Sequence, residues 1–516
     1  MVWTIARKEF LQALLTFRFG IGLILCIVSV AAGTLAVIED YGARREAFRR
    51  ARDAYEERLQ EEKPLSQLVY DLQVFREPRE LAVFSAGSDR WQGNVANATH
   101  HEVPRETRWL GSSNPYMVIF RSIDVALIVQ VILGLLALLF AYDAISGERE
   151  DDTLKLMLAN PVARDQVLLG KAVGHLSVLG VIVLFGFVVA LLFVQISPSL
   201  NLEGDQVARV AAMFAVSLLY VGAMYFAGLL LSTFTQRSAT ALVVAVFLWV
   251  CGVAVYPNAV AYGVNGLTPS RALRRAADGT SGQVVETFRA EFKDLTVREL
   301  ETEWPNFGWG TSSSNFNSVK GMLVGTFATP EAMEEYREWS LANGLVRDAW
   351  PEPMPEEEIN TRVAGFSRYF GQAEPLRAEY ADRLWTEAWS SFEERLRRAT
   401  ALSRGLSALA PAGAYGDVAS VLARTDRDDY WSFLAQARRY RKELIEHYEE
   451  EGYYHQREWY NSQARIPTLE GLPRFREGDE SLWQSLHQAR LSLALLGAFN
   501  VVFFLAAYWR FRRYEV

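Results

Sequence analysis

Strongly hydrophobic runs recur six times along the chain and are separated by charged segments. They cover residues 19–38, 122–142, 172–196, 208–234, 239–256 and 491–509. About 20 apolar residues in a helix are enough to cross the hydrocarbon core of a bilayer, and soluble cores rarely contain runs of this length. The pattern therefore predicts six membrane-spanning helices, and the expected fold class is an all-α polytopic membrane protein.

The N-terminal segment, residues 1–18, has the pattern of a basic amphipathic helix. Its apolar positions recur at helical spacing, at Trp3, Ala6, Phe10, Leu14 and Phe17. Such a helix lies in the membrane interface and points its cations toward the headgroups. The residues expected to define this interfacial helix are Trp3, Arg7, Lys8, Glu9 and Phe10.

Two long polar segments, residues 39–121 and 257–490, interrupt the series of spans. The first is charge-laced and helical from 41 to 62, and its 84–115 part has a loop composition. The second is long enough for a domain of its own, with helices expected near 374–403 and 428–460. Between these helices an apolar, turn-rich stretch, 402–425, is expected to touch the membrane surface or cap the spans. Together the two segments predict a mostly helical extracytoplasmic domain.

Lysine and arginine in the short flanks of the spans indicate the orientation. They occur in segment 1–18, in loop 143–171, after the fourth span at Arg237, and in the tail 510–516, whereas loop 197–206 has none. Basic residues favour the cytoplasmic side, so both termini and the 143–171 loop are expected in the cytoplasm. The two long segments are then outside.

The 143–171 loop is the most informative part of the chain, because it has ten charged residues between two apolar runs. In a helix begun near Glu150, the side chains of Leu154, Met157 and Leu158 share one face. Pro161 would stop this helix. A plain hairpin between spans has no use for exposed leucines, so the pattern predicts that the loop binds a partner.

The loop resembles that of ABC-2 type permeases, in which an aspartate is followed by SGERE, an acidic residue or glycine, TL, a short helix and P-V-S/A-R. The matching residues here are Asp143, Ser146, Gly147, Glu148, Arg149, Glu150, Thr153, Leu154, Pro161, Val162, Arg164, Gly170 and Lys171. Asp152 stands where a glycine often precedes the Thr-Leu pair. The A-R-K-E-F wording at the N-terminus is also similar to the family's interfacial helix.

The resemblance implies that this loop is a coupling helix that docks on an ATPase subunit. The residues carried over to that interface are Asp143, Glu148, Arg149, Glu150, Thr153, Leu154, Met157, Leu158, Pro161 and Arg164, with Gln236 and Arg237 as a second contact. The long insertions after span one and before span six resemble a subgroup with an additional conserved domain. Its S-P-A-x-A-Y-like element corresponds to Ala408, Ala410, Pro411, Ala412, Ala414 and Tyr415.

The implied function is that of a permease subunit of an ATP-driven exporter in the bacterial cytoplasmic membrane. ATP and Mg²⁺ would bind to partner ATPase subunits, and this chain would need no cofactor. A second permease copy or a homologous permease would complete the complex. The spans carry almost no charge, which disfavours an ion pathway and favours an amphipathic or lipid-like cargo. The alternative is a mechanical or sensory subunit that drives an extracytoplasmic partner protein without transport.

Other chemistry is poorly supported by the sequence. Gly170-Lys171 lacks the remaining residues of a Walker A motif, so ATP turnover by this chain alone is not expected. The only two cysteines, Cys26 and Cys251, lie in apolar runs and imply no disulfide framework. No nucleophile elbow, HExxH motif or carboxylate dyad supports an enzyme anchored outside the membrane, and nothing indicates nucleic-acid binding.

Two groups of histidines were considered as metal ligands. His447, Glu451 and His455 would align on one face of a long helix at i, i+4 and i+8, although a solvated acidic face is the simpler interpretation. His100 and His101 are adjacent in a loop and are expected to be exposed. No metal site is therefore predicted.

Overall fold

The computed structural model describes residues 2–59, 69, 72–108, 123–154, 163–268, 270–296, 298–299, 356–456, 459 and 471–513. Six of its helices are long and apolar enough to cross a membrane: Phe17–Leu59, Val125–Glu150, Arg164–Ile196, Asp205–Phe234, Ser238–Phe292 and Arg490–Arg512. The described chain is almost entirely helical. The predicted all-α polytopic membrane fold with six spans is confirmed.

Helices α1 to α7 form the first half of the chain, and α3 and α7 each contain a π-helical segment. Their bounds are α1 Val2–Leu14, α2 Phe17–Leu59, α3 Val125–Ile128 continuing through Val129–Leu133 to Gly134–Ala141, α4 Ser146–Glu150, α5 Arg164–Ile196, α6 Asp205–Phe234, and α7 Ser238–Trp249 continuing through Val250–Val255 to Tyr256–Leu267.

The second half contains helices α8 to α14. Their bounds are α8 Ser270–Thr296, α9 Glu356–Leu384, α10 Ser390–Ser407 after a π-helical segment Trp385–Trp389, α11 Pro411–Leu422, α12 Arg427–Glu450, α13 Leu482–Gln488 and α14 Arg490–Arg512. Single 3₁₀ turns lie at Glu80–Val83, Asp89–Trp91 and Tyr453–His455. Strands β1 Gln73–Phe75 and β2 Val95–Asn97 pair antiparallel, with Val74 opposite Ala96.

The spans pack around two central helices. Helix α5 lies against α1 and α2, and α6 lies against α3 and α14. Their shared core is dry and apolar: Leu133, Ile182 and Leu496 are each at most 1% exposed. Because α1 and the 143–154 segment lie at one end of this bundle, we call it the loop end. The opposite end, which carries residues 72–108 and 356–456, is the domain end.

The two polar segments fold together at the domain end through a buried charge cluster. Arg76 binds Asp89 and Asp429 at 2.8 Å each, and Arg79 binds Asp429 at 2.7 Å. Burial alone would raise the pKa of Asp429, but Arg79, Arg76 and Arg424 more than offset it and hold that pKa below its usual value. The ion pairs join positions 350 residues apart, which fixes the first insertion against α12.

Helix α11 connects this domain to the spans, because it lies between α6 and α14 at the domain end. The rings of Tyr415 and Tyr220 stack at 4.8 Å, and the Tyr415 hydroxyl lies 3.0 Å from Ser217 Oγ. Tyr220 donates to the Gln130 carbonyl at 2.7 Å, and the Gln130 amide donates to the Ala412 carbonyl at 3.0 Å. Of the two predictions for stretch 402–425, contact with the membrane surface or a cap on the spans, these contacts confirm the cap.

The histidine predictions need correction. His100 and His101 are not exposed: they are 1% and 2% exposed, and burial lowers the pKa of both. His100 contacts Glu374, and Arg441 donates to the His100 carbonyl at 2.6 Å, so the pair belongs to the domain core. The loop composition of this segment suggested exposure, but helices from distant parts of the chain cover it.

The second histidine group is not aligned on one helix. Helix α12 ends at Glu450, because Gly452 adopts a left-handed backbone with φ of 62° that terminates it. His455 lies in a separate 3₁₀ turn, 3.2 Å from Ser367 Oγ. Among the described residues no group of three or more His, Cys, Asp or Glu could hold a metal ion.

Candidate coupling site

The short helix α4 carries the SGERE residues and is fixed to the neighbouring span by its first turn. Ser232 Oγ on α6 accepts the backbone N–H groups of Ile145 and Ser146, both at 2.9 Å. Ser146 Oγ donates to the Tyr142 carbonyl at 2.9 Å. These bonds satisfy donors that a helix start leaves without intrahelical partners. The start of α4 therefore follows any movement of α6.

Three charged side chains hold α4 against α1 and α5 at the loop end. Lys171 Nζ on α5 lies 3.0 Å from Glu9 Oε1 on α1 and 2.5 Å from Glu148 Oε1 on α4. Lys171 is 3% exposed and Glu9 is 7% exposed. We call Glu9, Glu148 and Lys171 the latch. Removing one member of a buried ion group leaves the remaining charges without compensation, which typically costs about 3–5 kcal/mol.

Two glycines allow α1 to approach α5 closely enough to form the latch. A Cβ atom at Gly170 would lie 2.6 Å from Ile5, and one at Gly174 would lie 2.7 Å from Glu9 Cβ and 2.8 Å from the Ala6 carbonyl. Contacts this short are not tolerated between heavy atoms. The small residues on α5 thus bring the Glu9 carboxylate within reach of Lys171.

The other side of α4 holds the start of α7. Arg149 donates to the Thr235 carbonyl at 2.9 Å, in the turn between α6 and α7. Glu150 Oε2 accepts the Ser238 backbone N–H at 3.1 Å, at the first residue of α7. A carboxylate is favourable there because the N-terminus of a helix carries a partial positive charge. Helix α4 consequently contacts the chain at α1, α5, α6 and α7.

The residues that flank α4 also bind within the chain. Asp143 pairs with Arg18 at 2.7 Å, and Arg18 lies over the Tyr142 ring at 5.1 Å. Arg164, at the start of α5, donates to the carbonyls of Phe511 and Arg512 at 3.3 and 2.5 Å. A cation at the C-terminal carbonyls of α14 is the favourable sign for the helix dipole.

Leu154 does not have the predicted exposure. It is 1% exposed and belongs to the central hydrophobic core, so the expectation that it faces outward with Met157 and Leu158 is wrong for this residue. The predicted helix begins later than Glu150, because α4 ends at that residue, Asp152 adopts φ of 54°, and Thr153 and Leu154 are helical again. This left-handed conformation turns the chain and directs Leu154 inward. Met157, Leu158 and Pro161 lie outside the described residues.

The left-handed backbone explains the one departure from the motif. Glycine adopts positive φ without a steric penalty, whereas aspartate is one of the few other residues that tolerates it. Asp152 therefore meets the same backbone requirement as the glycine that it replaces.

The surface of the loop end carries several of the predicted site residues. The exposed ones are Trp3, Arg7, Lys8, Glu150, Asp151, Thr153, Gln236 and Arg237, and Phe10 is half-buried. Glu9 differs from the expectation of an interfacial residue, because its carboxylate is buried in the latch. Glu148, Arg149 and Arg164 are partly covered.

The sequence analysis matched Lys171 to the family motif but gave it no role. Its role could have been inferred from the sequence, because Lys171 is a cation at the start of an apolar run and a buried charge there needs a partner. Ser232 gave no signal, because a serine within a span is unremarkable. The latch lysine also shows why Gly170-Lys171 is no phosphate loop: Lys171 Nζ is bound to two carboxylates of the chain itself.

Comparison with known proteins places this site in a family. The profile of the ABC-2 family transporter proteins matches residues 3–296, which include α1, the latch and the α4 region. Residues 337–476 match a domain of unknown function, DUF3526, which includes α10, α11 and α12.

Two curated relatives are named as probable ABC transporter permease protein NosY. The one from Stutzerimonas stutzeri is 34% identical over 157 residues, which cover 29% of this chain and 55% of the relative. The one from Pseudomonas aeruginosa is 33% identical over 148 residues, which cover 27% and 53%. The chain thus spans about half the length of these relatives. Since the ABC-2 profile covers more than half of the chain, this protein belongs to the ABC-2 family of transporter proteins.

Proposed function

We propose that this chain is the membrane subunit of an ATP-driven exporter and that it couples ATP hydrolysis by separate ATPase subunits to movement of its spans. The observation that carries the proposal is the placement of α4. Its five residues contact α1 and α5 through the latch and contact α6 and α7 through Ser232, Arg149 and Glu150. A partner that pushes on this helix therefore acts on four elements of the bundle at once.

The docking surface is the exposed rim of the loop end. Asp151 and Thr153 follow α4, and Arg237 and Gln236 lie beside it in the next turn. Ion pairs across such a rim set register, whereas buried apolar side chains supply most of the binding energy. Met157 and Leu158 are the apolar anchors that the sequence pattern proposes for the groove on the ATPase. Leu154 instead anchors the loop to the core of this chain.

The positions of basic residues support a loop end that faces the cytoplasm. Helix α1, which carries Arg7 and Lys8, and the last turn of α14, which carries Arg512, lie at this end. The positive-inside rule then places the domain end outside the bacterial cytoplasmic membrane. A second permease copy or a homologous permease would complete the membrane part, with ATP and Mg²⁺ bound by the ATPase subunits. The curated relatives' names as permeases support this assignment.

A mechanical function without transport is the second candidate, and α11 is the observation in its favour. Arg209 on α6 donates to the Leu422 carbonyl at 3.1 Å and to Ser485 Oγ at 2.9 Å. Ser492 on α14 donates to Asp417 at 2.6 Å. Since α11 is fixed to two spans and belongs to the outer domain, movement of these spans would reach a partner protein at the domain end.

Reconstitution with an ATPase tests the proposal. The chain purified alone is expected to hydrolyse no ATP, and co-expression with ABC ATPases of the same genome should yield a stable complex that does. Transport and mechanical work are then separated by the fate of fluorescent lipid analogues in vesicles. ATP-dependent movement of an analogue supports export. Turnover that responds only to an added outer-domain partner supports the mechanical function, and turnover by the isolated chain contradicts both.

A further inference from the structure

A cavity of about 750 Å³ lies at the domain end, between the outer domain and the ends of α3 and α7. One side is apolar and comes from the spans, with Leu127 on α3 and Ala261 and Val264 on α7. The facing side is polar and comes from the domain, with Ser403 on α10 and Asp417 on α11. Its volume lies within the usual range of small-molecule sites, about 300–1,000 Å³.

The helices that flank the cavity also present apolar side chains to their surroundings. Tyr262 and Leu267 at the end of α7 are 81% and 79% exposed, and Leu402 and Leu406 on α10 are 49% and 37% exposed. The Tyr256 hydroxyl donates to the Leu406 carbonyl at 2.7 Å, which holds the end of α10 against a membrane-spanning helix. Exposed leucines are favourable against lipid, whose tails are as apolar as the leucine side chain. The apolar side of the cavity is thus continuous with a lipid-facing surface.

The charged residues of the cavity are balanced. The cations are Arg90, Arg404 and Arg427, and the carboxyl groups are those of Asp124, Asp417 and Asp426. Arg404 lies 3.0 Å from Asp417, 2.7 Å from Asp428 and 3.5 Å from Asp426. Sites for anionic headgroups concentrate arginine and lysine, which this cavity does not. Equal numbers of arginine and aspartate side chains instead suit a head that has both an anionic and a cationic group, so that its own charges cancel.

We propose that this cavity binds a lipid-like amphiphile whose head carries no net charge, with the tail along α3 and α7 and the head at Arg404, Asp417 and Arg427. The proposal rests on the proposed function and deepens it, because it names the class of the cargo and the place where the cargo contacts the outer domain. The head would hydrogen-bond to the exposed Arg427 guanidinium, which lies 3.3 Å from Thr400 Oγ1, and to the hydroxyls of Ser403 and Ser407.

Photocrosslinking in nanodiscs tests this site. The full chain is placed in nanodiscs of equal parts phosphatidylethanolamine and phosphatidylglycerol. A photoreactive p-benzoylphenylalanine replaces Ser403, which lines the cavity, or Arg398, whose side chain is 77% exposed on the same helix. Mass spectrometry identifies the adduct. We expect phosphatidylethanolamine adducts at position 403, favoured about tenfold over phosphatidylglycerol, and none at 398.

A pair of glycine variants tests whether the cavity volume is what binds the lipid. Gly416 lines the cavity, and a Cβ atom there would meet only Gln130 Nε2 at 4.0 Å, so Gly416→Leu has room at its Cβ and adds a large side chain to the cavity wall. Gly405→Leu is the matched control, because that position faces open space outside the cavity. Both changes are in helices and raise helix propensity equally. We expect Gly416→Leu to lower the adduct yield about tenfold and Gly405→Leu to leave it unchanged.

Several outcomes would overturn the inference. Equal yields of the two lipids contradict the head assignment, and equal yields from both glycine variants contradict the cavity. A peptide adduct at 403 would assign the cavity to a protein partner instead. We also expect Arg427→Gln, a change at an exposed position, to reduce the preference for phosphatidylethanolamine. An unchanged preference would contradict the assignment of the head to Arg427. The crosslink needs no ATP, so it reports on the cavity even if the chain couples to no ATPase.

Discussion

Lys171 shows how a single side chain can hold a helix that crosses no membrane. Its ammonium group bridges two carboxylates on helices α1 and α4, in a region where Lys171 itself is 3% exposed. Burying three charges is favourable only while all of them remain paired. Because the three charges must stay paired, any displacement of α4 that separates Glu148 from Lys171 would destabilise the latch.

Lys171→Met should therefore destabilise the loop end and lower the ATP turnover of the complex with the ATPase. The substitution keeps the length of the side chain but leaves the buried Glu9 and the partly buried Glu148 without their cation, which destabilises the fold by up to about 3–5 kcal/mol. The measurements are the thermal unfolding midpoint in detergent and the ATP turnover of the reconstituted complex. Lys8→Met is the control, because Lys8 is exposed on α1. Equal effects of the two variants would show that the latch has no role.

The buried carboxyl group of Asp426 should make the stability of the outer domain depend on pH. Burial, aided by Asp428 and opposed by Arg404, raises the pKa of this carboxyl to about 7 from the ordinary 3.8. The folded state therefore binds this proton more tightly than the unfolded state does. The resulting stability is complete below about pH 4 and is lost as the pH rises through 7.

Asp426→Asn removes this dependence while the amide oxygen can still cap α12 at the Asp428 N–H, 3.1 Å away. Relative to wild type, the variant should gain stability between about pH 5 and pH 8. The buried His100 and His101, whose pKa values burial lowers, act in the opposite direction but are the same in both proteins. Unfolding midpoints at several pH values measure the difference. A constant difference across this range would show that Asp426 is already ionised in the fold.

At the scale of elements, the approach of α1 to α5 provides a matched pair of substitutions. Gly174→Ala would place a Cβ atom 2.7 Å from Glu9 Cβ, whereas Gly180→Ala would place one 3.8 Å from Leu218, an ordinary contact. Each replacement adds roughly 1 kcal/mol of helix propensity. We expect Gly180→Ala to be neutral or stabilising and Gly174→Ala to displace α1 and open the latch.

Thermal unfolding midpoints in detergent and trypsin cleavage after Arg7 and Lys8 on α1 report on this displacement. Gly174→Ala should lower the midpoint and speed the cleavage, whereas Gly180→Ala should do neither. If the two variants unfold and are cleaved alike, the helices tolerate the extra methyl group and close packing does not set the position of Glu9.

The elements differ in how well their sequences predicted them. The long apolar runs were sufficient for six spans, because a helix of that length has no other stable environment. The left-handed backbone of Asp152, which separates α4 from the helical Thr153, was not predicted, and Leu154 was predicted to be exposed although the bundle core covers it. Burial of His100 likewise depends on Arg441, which is 341 residues away. Pairings at such separation leave no periodic pattern in the sequence.

The motif predicted which residues form the coupling site, but it did not predict what they contact. The resemblance identified Glu148, Arg149 and Glu150 before any contact was known. Their partners within the chain, Lys171, the Thr235 carbonyl and the Ser238 N–H, emerged only from the structure. The reason is geometric, because the close packing that aligns them is set by two glycines on a different helix.

For the whole molecule, the structure joins the two ends of the bundle through shared helices. Helix α6 holds α4 through Ser232 at the loop end and α11 through Tyr220 and Ser217 at the domain end. Under the proposed coupling, a displacement of α4 would thus be transmitted along one span to the wall of the cavity. Both proposed outcomes, export and mechanical work, depend on the same first step, which is docking of an ATPase at the loop end.

Photocrosslinking at Asp151 tests that step most directly. Asp151 is exposed immediately after α4, and Glu394, exposed on α10 at the domain end, is the control position. A photoreactive residue is placed at either position, the chain is co-expressed with ABC ATPases of the same genome, and intact cells are irradiated. The account predicts a covalent adduct between position 151 and an ATPase and none from position 394. Co-purification of an ATPase without an adduct at 151, or an adduct from position 394, would contradict it.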